Sequence, residues 1–202
     1  MKKQAGPDAH MIALGFCVKT GRAIAVVLRG PVESPSFVRR EDLTLVDPKM
    51  RSTFQPFHAV MELPWPDAVA AAEESASAIR AVATSAIAAL LNQLRATGDR
   101  VAGAGVVGGS PNDPAKIGNP HVRAHAAEGQ LFPRMVTAAA NANGLTARSF
   151  PERGFEDRII AELGLSPAAV KKLTVELGAA AGRPWRSDEK MAALAAWLFL
   201  AG

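Results

Sequence analysis

The chain has 202 residues, of which 49% are hydrophobic and 21% are charged, and it contains one cysteine, Cys17. This size allows one full hydrophobic core, so we expect a single globular domain over residues 1–202, and the lone cysteine excludes an internal disulfide framework. The net charge of +4 permits contact with nucleic acid, but the basic residues form no continuous block, so charge alone does not assign a partner.

The two ends of the chain predict neither export nor membrane insertion. Met1–His10 is polar, and the apolar run that follows it is short and broken by Lys19, unlike a signal peptide. The longest apolar stretch, Met191–Ala201, is shorter than the roughly 20 residues that cross a bilayer. We therefore expect a soluble cytoplasmic protein with no membrane partner.

The first part of the chain predicts a β-sheet. Met11–Val18 and Arg22–Leu28 are apolar runs joined by a Thr-Gly turn, a pattern typical of a β-hairpin. Ser36–Val46 alternates apolar and polar residues near its end and predicts a third strand. Thr53–Glu62 is a further candidate strand, although the prolines in and after it favour an edge or a loop.

A long helix is predicted from Asp67, its N-cap, to about Thr97. Alanine dominates this segment, apolar residues recur at steps of three and four, and Gly98 ends the pattern. Such a helix would be about 45 Å long, more than a compact sheet can cover. It either packs on its own sheet with one end projecting or joins two copies of the chain in a homodimer.

The strand predicted from Val101 to Val107 contains glycines with the spacing GxGxxG, at Gly103, Gly105 and Gly108. In a dinucleotide-binding fold these glycines would form a strand-to-helix turn that faces the pyrophosphate. Here prolines follow the strand, and no helix is predicted for about a dozen residues. We therefore reject a dinucleotide site and expect a glycine-bearing strand packed closely under a helix.

The helix predicted over residues 120–143 carries the most distinctive polar pattern of the chain. His121, His125 and Glu128 are spaced by four and three residues, so they lie on one helical stripe and could converge on a cation or a phosphate group. The same spacing also occurs on ordinary solvated helix faces. Further ligands for a metal would have to come from elsewhere in the chain, and the candidates are Asp113 and Asp188.

After a short predicted strand, Leu145–Phe150, we expect a charged helical insert at about 152–184, split near Gly164. Its basic residues could contact phosphates, but acidic residues alternate with them, as on a solvated surface. The last helix is predicted to have Ser187 as its N-cap and Asp188 in its first turn, where any helix dipole favours a carboxylate. The candidate binding residues of these helices are His121, Arg123, His125, Arg153, Lys171 and Lys172.

The chain shows a family resemblance in the order of its elements and in three stretches, which lie within 13–17, 118–153 and 188–195. The order of elements resembles that of the ribonuclease H-like superfamily, with the RuvC-type Holliday-junction resolvases as the nearest family. This order is a hairpin, a third strand, a helix, a strand, a helix, a strand, an insert and a C-terminal helix. The resemblance implies an α/β fold in which a mixed sheet, with antiparallel N-terminal and parallel C-terminal strands, is flanked by helices.

In that superfamily clustered carboxylates hold magnesium or manganese ions for phosphodiester hydrolysis, and this chain departs from the implied pattern. The position of the first acid holds Cys17, whose neutral thiol is a poor ligand for a hard cation. The end of the fourth strand, Val107-Gly108-Gly109, has no carboxylate. In the last helix, Met191 occupies a position where the resemblance implies another acid, three residues after Asp188. Among the implied acids only Asp188 is matched.

These features predict a catalytically degenerate ribonuclease H-like protein that needs no cofactor and serves as a nucleic-acid-binding or regulatory scaffold. A second hypothesis is a nuclease or phosphoesterase dependent on Mg²⁺ or Mn²⁺, with Asp188 and Glu128 as catalytic residues, Asp113 as a further ligand, and His121 or His125 in the same site. A third is an assembly protein that dimerises through the helix at 67–97.

Overall fold

A five-stranded sheet lies at the centre of the computed structural model, which describes residues 11–109 and 111–201. Its order is β3-β2-β1-β4-β5, where the strands are β1 (Met11–Lys19), β2 (Arg22–Arg29), β3 (Ser36–Thr44), β4 (Arg100–Val107) and β5 (Ala147–Phe150). β2 pairs antiparallel with both β1 and β3, whereas β1, β4 and β5 run parallel. The predicted mixed sheet is confirmed.

Helices cover both faces of this sheet. They are α1 (Trp65–Ala71), α2 (Glu73–Ala96), α3 (Pro120–Ala142), α4 (Phe155–Leu163), α5 (Pro167–Ala181) and α6 (Ser187–Leu200). Successive side chains of a strand point to opposite faces, so Leu14 and Phe16 of β1 pack with α2 and α3, whereas Cys17 packs with α6. Because β1 and β2 are covered on both faces, nearly all their positions are apolar.

Several boundaries differ from the prediction, including the end of β3 at Thr44 and the start of β5 at Ala147. The helix predicted over 67–97 begins at Trp65 and divides at Ala72 into α1 and α2. The segment 53–62 contains no strand and forms turns after a short 3₁₀ helix, Arg51–Thr53, because proline lacks the N–H that a strand must donate. α6 begins with Arg186, not Ser187, at its N-cap position.

α2 is long and apolar enough to cross a bilayer by length and composition alone. Core helices of soluble proteins meet the same criterion. The buried residues of α2, which include Ile79, Ala83, Ile87 and Leu91, pack in one cluster with β1, β2 and α3. In this structure the apolar face of α2 is therefore part of the protein core.

Glycines on β1 and β4 let α6 lie directly against the sheet. A Cβ atom added to Gly15 would lie 1.8 Å from the carbonyl oxygen of Ala192, and one added to Gly105 would lie 2.5 Å from that of Ala195. The glycine pattern of β4 thus serves close helix packing, as predicted, and the next α-helix begins only at Pro120.

Candidate functional site

The sheet topology brings several polar segments to one edge. In the parallel part of the sheet, Cys17 of β1 lies opposite Val107 of β4, which in turn lies opposite Phe150 of β5, so the carboxyl ends of the three strands are neighbours. α6 packs across β1 and β4, and its first turn carries Asp188 at this edge. Polar side chains from distant parts of the chain therefore meet where the parallel strands end.

Five side chains form what we call the strand-end cluster: Cys17, Lys19, Arg22, Glu152 and Asp188. The ammonium Nζ of Lys19 donates to Oε2 of Glu152 at 2.6 Å and lies 3.7 Å from Oδ1 of Asp188. The guanidinium of Arg22 donates from Nη2 to Oδ2 of Asp188 at 2.9 Å. Both carboxylates are thus paired with side-chain cations.

The environment of the cluster keeps Lys19 charged and Cys17 neutral. Burial by itself lowers the pKa of Lys19, but the hydrogen bond to Glu152 and the neighbouring charges raise that pKa above its ordinary value. Burial raises the pKa of the Cys17 thiol to about 12, an effect that Lys19 reduces and that Asp188 and Glu152 increase. At neutral pH Lys19 is therefore an ammonium and Cys17 a neutral thiol.

The thiol of Cys17 should be inert in the folded protein. Its pKa rises from an ordinary 9.0 to about 12, so at pH 9 the thiolate population falls by more than about a hundredfold. We expect iodoacetamide to modify Cys17 in urea but not under native conditions. Because the unfolded chain ionises this thiol at lower pH, the folded state should lose stability as the pH rises from about 9 to 12.

A Cys17→Ser variant serves as the control, since a serine hydroxyl does not titrate in this range. Its alkaline loss of stability, measured by urea unfolding at pH 8 and pH 10.5, should be smaller than that of the wild-type chain. Rapid alkylation of the native wild-type protein would refute the assignment of a buried neutral thiol.

The strand-end cluster is a poor match for the magnesium or manganese ions that the family resemblance implies. Mg²⁺ takes hard oxygen ligands at about 2.0–2.1 Å in octahedral geometry. Cys17 offers a neutral sulfur, and the ammonium of Lys19 lies within hydrogen-bond distance of Glu152. The donor set of these residues therefore does not fit a bound pair of hard cations.

A second group of polar residues, which we call the histidine cluster, contains His58, His121, His125 and Glu128. The side chain of Glu128 is 1% exposed, and its Oε1 accepts hydrogen bonds from the backbone N–H groups of Phe57 at 3.1 Å and His58 at 3.2 Å. The same oxygen lies 2.9 Å from Nδ1 of His58. Glu128 thus fixes the turn segment after β3 against α3.

The two imidazoles of α3 complete the histidine cluster. His121 and His125 stand one helical turn apart with their Nε2 atoms at 3.1 Å, and both residues are exposed. Their ring centroids lie 5.0 and 4.4 Å from that of His58. The helical stripe that the sequence predicts is present in the structure, and a third histidine, His58, contacts it.

The two clusters lie on opposite faces of the sheet. Glu128 belongs to α3, which packs with Phe16 and α2, whereas Asp188 belongs to α6, which packs over Cys17. Asp113 caps a short 3₁₀ turn by accepting the N–H of Ala115 at 3.0 Å. A hydrolase that combines Asp188, Glu128 and Asp113 would need to draw carboxylates from three separate places.

The predicted basic binding residues do not converge on one point. The guanidinium of Arg123 lies 5.8 Å from the ring centroid of Trp65, and Lys172 pairs with Glu176 at 3.8 Å. Arg153 and Lys171 are exposed. These residues offer positive charge on the α3 side and on the α4–α5 side of the molecule.

Sequence analysis missed Lys19, Arg22, Glu152 and His58 as site residues. Lys19 is two residues beyond Cys17 on β1, so the alternation of a strand places both on the same face and could have identified it. Glu152 follows the end of β5 by two residues. His58 lies in an irregular turn, where no periodic pattern could identify it.

Comparison with known proteins assigns the fold. No protein-family model and no curated protein matches the sequence. The solved structure of Thermus thermophilus RuvC is similar with a TM-score of 0.53 and 12% identity, and a T. thermophilus RuvC in complex with a Holliday junction substrate is similar with a TM-score of 0.51 and 15% identity. Each match covers 95% of both chains. The chain therefore has the ribonuclease H-like fold of the RuvC resolvase structures.

Proposed function

We propose that this chain binds nucleic acid on a ribonuclease H-like scaffold without hydrolysing it. In this proposal Lys19 takes the electrostatic role that metal ions have in an active nuclease of this fold. The protein is then a binding or regulatory scaffold, and the carboxylates that remain at the strand-end cluster serve to hold its structure.

The position of the Lys19 ammonium is the observation that carries this proposal. It lies 2.6 Å from Glu152 and 3.7 Å from Asp188, and Arg22 compensates Asp188 further at 2.9 Å. A divalent ion gains its binding energy from uncompensated carboxylates, so it gains less where cations already neutralise them. The neutral thiol of Cys17 adds no negative charge to attract one.

Three observations support nucleic acid as the partner. A RuvC structure to which the chain is similar holds a Holliday junction, and the chain has a net charge of +4. Arg153 and Lys171 are exposed on the side of the sheet that carries the strand-end cluster. Their charges are available to phosphate groups, which supply most of the affinity in sequence-independent binding.

Binding to labelled DNA tests the proposal. We expect the fluorescence anisotropy of a four-way junction to report binding whose logarithmic affinity falls linearly with the logarithm of salt concentration, with a slope of about −0.9 per phosphate contacted. Arg153→Ala and Lys171→Ala should each reduce this slope. Arg80→Ala removes an exposed arginine of α2, on the opposite face of the sheet, and should change little.

Cleavage measured on the same DNA decides between scaffold and enzyme. The junction should remain intact in the presence of Mg²⁺ or Mn²⁺. Cleavage that Asp188→Asn abolishes would overturn the proposal and favour a hydrolase. An RNA hairpin and a plain duplex, tested in parallel, identify the preferred form of nucleic acid, and absence of binding to all three would also contradict the proposal.

The same proposal covers domain organisation and location. It treats residues 1–202 as one domain that acts in the cytoplasm, with α4 and α5 as an insert at about 152–184. A homodimer formed through the segment 67–97, which contains most of α1 and all of α2, is the alternative mode of action. Sedimentation of the DNA-free protein over a range of concentrations tests it, because a dimer with no DNA affinity would support assembly as the function.

A further inference from the structure

We propose that His58, His121 and His125 form a binding site for Zn²⁺, with Glu128 as the carboxylate that orients His58. This site goes beyond the proposed function, because it lies on the α3 face of the sheet and uses no residue of the strand-end cluster. It is also not the carboxylate site that the fold implies, because its ligands are imidazole nitrogens.

The positions of the three imidazoles suit a shared ion. One ring nitrogen from each histidine can be chosen so that all three atoms lie within 4.8 Å of one another. Two nitrogens bound to one tetrahedral Zn²⁺ at about 2.0–2.1 Å would be about 3.3 Å apart. The Nε2 atoms of His121 and His125 are 3.1 Å apart, and both side chains are exposed and can adjust to an ion.

Glu128 orients the third imidazole, that of His58. A carboxylate oxygen accepts hydrogen bonds, so Nδ1 of His58 donates to Oε1 of Glu128 at 2.9 Å and leaves the lone pair on Nε2. That Nε2 atom is buried and has no hydrogen-bond partner among the described residues. A carboxylate that fixes the far nitrogen of a metal-bound histidine is the usual partner of such a ligand.

The buried carboxylate of Glu128 favours a cation bound to His58. Its side chain is 1% exposed, and His58 is its only ionisable partner within ion-pair distance in the described parts of the chain. A buried carboxylate is costly unless positive charge and hydrogen bonds compensate it. An ion on His58 would place a double positive charge on the other side of the imidazole, where it stabilises this carboxylate.

The ligand set selects the metal. Neutral imidazole suits Zn²⁺ and its transition-metal neighbours, whereas Mg²⁺ and Ca²⁺ require oxygen ligands. Three histidines leave one tetrahedral position open. His121 and His125 are exposed, so water or a small anion could reach this fourth position from solvent.

Calorimetric titration of the chelator-treated chain with Zn²⁺ tests the proposal. We expect one ion per chain and no competition from millimolar Mg²⁺. His121→Ala and His125→Ala change exposed residues, so the fold should persist while the affinity falls at least about a hundredfold. Glu128→Gln should weaken binding by about 10–100-fold, because it removes the negative charge beside Nδ1 of His58, while its amide oxygen can still accept the backbone N–H groups of Phe57 and His58.

The chain offers two matched controls. Its fourth histidine, His10, lies outside the described residues, and His10→Ala should leave the affinity unchanged. Asp188→Asn should also leave it unchanged, which separates this site from the strand-end cluster. Titration with Co²⁺ should give the intense visible absorption of a tetrahedral site, and His121→Ala should remove it.

Three results would overturn the proposal: absence of stoichiometric zinc binding, binding that survives both His121→Ala and His125→Ala, or equal losses in His10→Ala. Circular dichroism of each variant confirms that it is folded, so that a loss of affinity is assigned to the missing ligand.

Discussion

Replacing Gly15 with valine should prevent the chain from forming a stable fold. The Cβ atom alone would lie 1.8 Å from the carbonyl oxygen of Ala192 and 2.4 Å from the backbone nitrogen of Ala196. These are backbone atoms of α6, so no side chain can rotate away and the whole helix must shift. Overpacking of this kind should lower the free energy of unfolding by about 4 kcal/mol or more, a large part of what a domain has.

A second glycine supplies the control for this substitution. Gly129 lies within α3, and a Cβ added to it would meet no heavy atom within 4 Å. Gly129→Ala should therefore raise the free energy of unfolding, by up to about 1 kcal/mol from helix propensity. Urea unfolding compares the two variants, and a Gly15→Val protein within 1 kcal/mol of wild type would contradict the packing of α6 on β1.

Converting the strand-end cluster into a metal site should make folding depend on magnesium. Cys17→Asp combined with Lys19→Ala would place a third carboxylate beside Asp188 and Glu152 and remove the ammonium that pairs with them. Repulsion among the carboxylates should destabilise the metal-free protein. Mg²⁺ at a hundred times its dissociation constant should then restore about 2.7 kcal/mol, measured as a rise in melting temperature.

Cys17→Asn with Lys19→Ala is the matched control, because asparagine has the shape of aspartate without its charge. It should lack the response to magnesium. Equal stabilisation of both double variants would show that the ion binds elsewhere, and no response in either would show that these positions do not form a cation site.

Local sequence patterns predicted most of the fold. The hairpin of β1 and β2, the strand β4 and the helices α3 and α6 follow from short apolar runs, helical periodicity and glycine or proline stops, which are properties of short segments. The turns after β3 were harder to predict from the sequence, since Phe57 is buried and the apolar content of that segment is similar to that of a strand. The break at Ala72 has no counterpart in the sequence, because alanine favours a continuous helix.

The candidate site was predictable only where its residues share one element. The stripe of His121, His125 and Glu128 was visible because helical spacing joins its members. Lys19 and Glu152 are separated by 133 residues, and His58 and Glu128 by 70, so their contacts depend on the completed sheet and on the packing of α3. No local period encodes such pairs.

Calorimetric titration of the wild-type chain with Mg²⁺ is the most direct test of the claim that Lys19 occupies the role of a metal ion beside Asp188 and Glu152. Imidazoles bind Mg²⁺ poorly, so the histidine cluster does not interfere with the measurement. The pairing of both carboxylates with Lys19 and Arg22 predicts no site with a dissociation constant below about 1 mM. Submillimolar binding that Asp188→Asn abolishes would contradict the claim.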